Sequence, residues 1–161
     1  MLWCCAIRRA VLTGELNARI GLAHLDASAR DRWSALLDAA ERSRPADFTK
    51  NGWVVQALQA AWSAITTTPM PQEAPAAGVF RADHLRLALQ AAVRGGRDTD
   101  TVAAIAGALL GAVWGASAVP AQWRRRLHGW PGWNTRKLVA VTTDIVRGIG
   151  TKIPMIPLGS E

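Results

Sequence analysis

Apolar residues along this chain recur at helical spacing, and alternation with a period of two is almost absent. The opening "LWCCAIRRAVLTG" sets Leu2, Ala6, Ile7, Ala10 and Val11 on one helix face and stops at Gly14. "DASARDRWSALLDAAERS" turns Trp33, Leu36, Leu37 and Ala40 inward, and Pro45 ends it. "NGWVVQALQAAWSAITTTP" carries a stripe of Val54, Val55, Leu58, Ala61, Trp62 and Ile65, with Asn51 placed to cap it. After a Pro- and Ala-rich loop from Pro69 to Gly78, "DHLRLALQAAVR" begins near Asp83 and stops at Gly95-Gly96. A fifth helix is expected from Thr101 to Ala118, and a short sixth has Pro120 at its first turn. "NTRKLVAVTTDIVRGIG" predicts a seventh, and no segment reads as a good strand pair. The expected fold class is therefore all-α, with one helical domain over residues 1–150 and a loosely ordered tail at 151–161.

Composition agrees with that pattern. A chain of 161 residues, half of them hydrophobic and rich in Ala, is long enough to bury a core and favours helices. The net charge of +7 would suit an anionic partner. The arginines are spread along the chain, however, apart from Arg124-Arg125-Arg126, so a solvated basic surface is the simpler reading. No nucleic-acid partner is expected. Cys4 and Cys5 are adjacent and read as small reduced core residues, which fits a cytoplasmic protein. The first residues lack a basic leader and a cleavage site, so they do not read as a signal peptide.

The richest stretch is "GGRDTDTVAAIAGALLGAVWGASAVPAQW". From Val102 to Val119 it has no charged side chain, Gly107, Gly111 and Gly115 recur at i+4, and Arg124 to Arg126 follow. Those are features of a membrane helix with a basic flank. Ala and Gly drive insertion weakly, though, and the other helices are amphipathic and need one another. A buried core helix is the preferred reading, and no membrane partner is expected. Asp98, Asp100 and Thr101 stand where this helix begins. One Asp there serves the backbone and the helix dipole, but two carboxylates and a hydroxyl exceed what capping requires. Together they can converge on a hard cation such as Mg²⁺ or Mn²⁺.

A glycine-rich turn, D-x-D-T, an A-I-A-G-x-x-x-G-A-x-x-G helix and a following P-x-x-W occur here in that order. In this the chain resembles the C-terminal signature of the ADP-ribosylglycohydrolases, the all-α enzymes similar to dinitrogenase reductase-activating glycohydrolase. "NGWVVQALQAAWSAI" is similar to an upstream helix of that family, and the resemblance runs from Leu2 to Trp130. It departs at Arg97, which stands between the glycine pair and the first Asp.

The resemblance implies a compact helical bundle and a paired divalent metal centre, Mg²⁺ or Mn²⁺. It implies hydrolysis of the glycosidic bond between ADP-ribose and a protein side chain, with ADP-ribosylated protein or ADP-ribose as partner. Asp98, Asp100 and Thr101 match one metal-ligand set residue by residue. Asn51, Gly52, Trp53, Gly95 and Gly96 fall on the substrate side, Trp53 near the nucleotide. The family's other ligand set, a T/S-D-D-T string preceded by G-D-x-x-G, has no counterpart here, since no two acidic residues are adjacent. "TTDI" at Thr142 to Ile145 has a single Asp on the wrong side of the domain. The expectation is thus a bundle truncated at its N-terminus, with half a binuclear site, exposed core surface that promotes association, and no catalysis alone. The alternatives are a non-enzymatic ADP-ribose-binding or structural remnant and, further behind, a small membrane protein.

Overall fold

The helical stripes become real helices because each buries its small and branched side chains against a neighbour. The structure, a computed structural model, describes Met1–Gly148; the tail expected at 151–161 lies outside the described residues. It is all-α, with helices α1 Leu2–Thr13, α2 Ala27–Arg42, α3 Val54–Thr67, α4 Asp83–Arg94, α5 Thr99–Trp114, α6 Ala121–Arg126 and α7 Thr135–Val146. The chain falls into two compact units, Met1–Val119 and a second that begins at Pro120.

In the first unit α3 is the central helix. It packs against α2, α4 and α5, while α5 also lies on α1 and α4. Small residues make this closeness workable: Ala57, Ala60, Ala61 and Ala64 are buried along α3. Larger side chains fill the spaces between, with Leu37, Leu85, Leu109 and Leu110 fully enclosed. Several polar groups that enter this core find partners, as burial demands, whereas His84 Nδ1 and the Trp114 indole N–H are buried with none among the described residues. Gln59 donates to the Leu36 carbonyl at 3.0 Å, and His84 Nε2 meets the Ile65 carbonyl at 3.0 Å. The Trp3 indole N–H reaches the Ile105 carbonyl at 2.9 Å, which joins α1 to α5.

The connection from α1 to α2 is a turn of 3₁₀ helix, Ala18–His24. Arg19 holds it down through Asp38 at 2.6 Å and Glu41 at 2.9 Å, and Glu41 also accepts from the Trp62 indole at 2.9 Å. Gly21 lets the turn lie directly on α1, because a methyl there would stand 2.8 Å from the Leu2 Cα.

Several expectations are corrected. Val11 and Val54 face outward, 67% and 69% exposed, because the buried arcs of α1 and α3 are narrower than their apolar stripes. Cys4 is exposed and Cys5 only half-buried, so neither is a core residue; both are free thiols. Trp33 and Leu36 are half-buried, leaving Leu37 and Ala40 as the inward side of α2. The fifth helix starts at Thr99 and ends at Trp114, because Gly115 takes φ 77 and turns the chain into a short 3₁₀ segment. It is not buried all round either, since Ala104 and Ala108 are exposed. Sixteen residues span about 24 Å, short of a hydrocarbon core of about 30 Å. Among the described residues no helix is long and apolar enough to cross a membrane.

The second unit contains a feature that the apolar pattern hid. His128–Gly129 and Trp133–Asn134 pair antiparallel, His128 opposite Asn134 and Gly129 opposite Trp133. Strands of two residues are too short to leave an alternating signature. Local bonds organise this unit: Asn134 caps α7 by accepting from the Lys137 N–H at 3.1 Å, and the Thr135 hydroxyl donates to the Arg124 carbonyl at 2.8 Å.

Candidate functional site

The chain before α3 and the turn before α5 meet, and Asn51 is where they join. The helix expected to be capped by Asn51 has Trp53 at its N-cap and no side-chain cap. The Asn51 amide is taken elsewhere. Its Nδ2 donates to the Gly96 carbonyl at 3.0 Å, and its Oδ1 accepts from the Asp98 N–H at 3.2 Å. Asn51 is 3% exposed, so these bonds across the chain are what make its burial tolerable. Beside it, a methyl on Gly52 would lie 3.8 Å from an Asp98 carboxylate oxygen. Trp53 follows and is 51% exposed, so it is not a core side chain.

The turn itself explains both glycines. A methyl on Gly95 would come within 3.1 Å of Pro45 Cβ and 3.0 Å of the Ala92 carbonyl. Gly96 takes φ 79, in the region that suits glycine. Arg97, where the sequence departs from the family pattern, is also left-handed at φ 62.

Asp98 occupies the N-cap of α5 yet makes no side-chain hydrogen bond to the helix. Capping therefore does not account for it. Asp100 follows two residues on, in the first turn of the same helix. Hydrogen bonding with the Asp98 carboxyl, and then with the backbone N–H groups of Thr101 and Asp100, holds the Asp100 carboxyl below the usual carboxylate range. Among the described residues no Lys, Arg or His side chain pairs with either Asp. Thr101 stands exposed one position beyond, in the first turn of α5.

The donor set is thus two carboxylates and a hydroxyl, all hard oxygens and none neutralised by a basic side chain. That chemistry fits a divalent cation such as Mg²⁺ or Mn²⁺, with water completing a shell of about six oxygens. Among the described residues no group of three or more His, Cys, Asp or Glu side chains forms a metal site. The second unit has a separate groove of about 690 Å³ between α6 and α7, lined by Arg124, Arg125, Arg136, Leu127 and Val139 among others. None of the candidate site residues belongs to it.

A helical fold with an Asp pair and a Thr at the start of a small-residue helix defines a class, and comparison with known families agrees. The ADP-ribosylglycohydrolase family matches residues 1–152, nearly the whole chain. The chain belongs to that family, whose members act on ADP-ribosylated substrates. Among curated proteins and among solved structures, none matches the chain.

The amide of Asn51 thus does not make the capping bond its place before α3 predicts. Its partners lie 45 and 47 positions away. Nothing within a single helical segment signals so distant a pairing.

Proposed function

We propose that Asp98, Asp100 and Thr101 form one divalent-metal ligand set of an ADP-ribosylglycohydrolase site, and that this chain alone has little or no hydrolase activity. The observation that carries the reading is the Asp98 carboxylate, which leaves the helix uncapped and, among the described residues, has no basic partner. Bound Mg²⁺ or Mn²⁺ would supply orientation of the ribose hydroxyls and stabilisation of charge as the glycosidic bond opens. The chain's residues divide the remaining tasks. Asp98 and Asp100 hold the negative charge, Gly52 keeps the approach to Asp98 free of a side chain, and Trp53 offers an aromatic face to a nucleotide base. Gly95 and Gly96 shape the turn on which the substrate would lie.

Inactivity follows from the ligand count. Two carboxylates and one hydroxyl hold one cation weakly and give no second anchor for a catalytic water. With Mg²⁺ and an ADP-ribosylated protein, the purified chain should release no ADP-ribose above the blank. Release that Asp98→Ala abolishes would overturn this. A second reading, ADP-ribose binding without hydrolysis, is favoured by the half-exposed Trp53 beside Gly52. It requires calorimetric heat with ADP-ribose that is lost in Trp53→Ala, and a silent titration of the unaltered chain would end it. The free thiols Cys4 and Cys5 support a cytoplasmic setting. Exposed Val11, Leu12 and Val54 support association through uncovered apolar surface.

A further inference from the structure

The turn that delivers Asp98 bends against the preference of its own residues. Among the described residues, Arg97 is the one non-glycine position with a positive φ, and it follows directly on left-handed Gly96. Glycine takes that conformation freely, whereas an arginine Cβ resists it. Something must hold the backbone there. The two peptide groups that flank Arg97 are the Gly96 carbonyl and the Asp98 N–H, and one side chain binds both. Asn51 donates to the first at 3.0 Å and accepts from the second at 3.2 Å, closing a bridge around the strained residue.

The same bridge sets the carboxylate. Asp98 is the first residue past the strained one, so its direction depends on the φ of Arg97. Gly52, the next residue after Asn51, lies beside the Asp98 carboxylate. The Asn51–Gly52 step therefore meets both the backbone and the side chain of Asp98. With the Asn51 amide committed to the backbone on both its nitrogen and its oxygen, its role is support and not contact with a ligand.

We propose that Asn51 is a positioning residue that locks the Gly96–Arg97 turn in its left-handed form and thereby fixes the direction of the Asp98 carboxylate beside Gly52. The consequence for metal binding rests on the reading of Asp98 and Asp100 as ligands; the lock itself is readable without metal.

Two measurements on the full chain test it: the φ of residue 97 from NMR coupling constants, and Mn²⁺ affinity by calorimetry. In Asn51→Ala, residue 97 should leave the left-handed region, and Mn²⁺ binding should weaken by about 10- to 100-fold. Adding Arg97→Gly to Asn51→Ala should recover most of that affinity, because glycine keeps the turn without help. A residue that only filled space would not be rescued by a change 46 positions away. Should Asn51→Ala fail to fold, Asn51→Asp keeps the shape and the acceptor but loses the donor to Gly96, and the same readouts apply. Residue 97 remaining left-handed without Asn51, or no recovery with Arg97→Gly, overturns the proposal. If the unaltered chain binds no Mn²⁺, the ligand reading falls, and the φ of residue 97 alone decides the lock.

Discussion

Met1–Val119 and Pro120–Gly148 reach order by different means. Among the described residues the first holds every buried apolar side chain, from Leu2 to Leu110. The second holds none, and exposes Leu127, Trp130, Leu138, Val139, Ile145 and Val146. Charge divides them as well. The first carries twelve Lys and Arg against ten Asp and Glu, whereas Pro120–Gly148 carries six against one. All the ion pairs among the described residues fall in the first. Burial of apolar surface offsets the entropy of ordering a chain; a few caps and a two-residue ladder offset far less. The candidate site sits wholly in the region that has a core, where its backbone can be held in a strained form.

Deleting packing should separate the two units most clearly. Leu109→Ala, in the enclosed part of α5, should cost about 2–5 kcal/mol in chemical denaturation, while Val139→Ala in α7 should cost less than about 0.5 kcal/mol. Equal costs would mean that the second unit has a core of its own. A smaller effect is expected from Gly21→Ala. The added methyl meets the Leu2 backbone, which cannot swing away as a side chain does, and the loss should be about 1–3 kcal/mol. A neutral result would show that the turn is free to lift from α1.

The smallest effect is that of pH. Hydrogen bonds from Asn17 and Arg9 lower the pKa of Glu15, and those from Arg44 lower that of Asp47. A carboxyl lowered in the folded state contributes stability above its unfolded pKa and loses it as pH falls through the folded value. Stability of the first unit should therefore hold from neutrality to about pH 4.5 and decline only below that. Both side chains remain open to solvent, Glu15 partly and Asp47 more so, so the decline should be shallow, and high salt should flatten it further. A steep loss between pH 5 and 7 would point to a different titrating group.

How far these features were legible depends on the range of the interaction behind each. The helices were legible because their stripes are local. Their phases were less so, since Val11 and Val54 continue an apolar stripe without continuing the contact. The end of α5 was missed because Ala, Ser and Val after Gly115 look helical, while the φ of 77 that stops the helix leaves no mark beyond the glycine itself. Asp98, Asp100 and Thr101 stood out as a short motif of like chemistry. Asn51 looked like a cap because Asn before a helix usually is one, and only its distant partners show otherwise. The strand pair of the second unit was invisible because two residues cannot display a period.

Everything proposed for the site depends on whether the two carboxylates at the start of α5 bind a cation. Paramagnetic broadening of backbone amide signals by substoichiometric Mn²⁺ tests this directly. The prediction is early loss of the signals of Gly52, Trp53 and residues 96–101, with those signals retained when Asp98 and Asp100 are both changed to Asn. Broadening that leaves this junction untouched, or that persists there in the double variant, would contradict the claim.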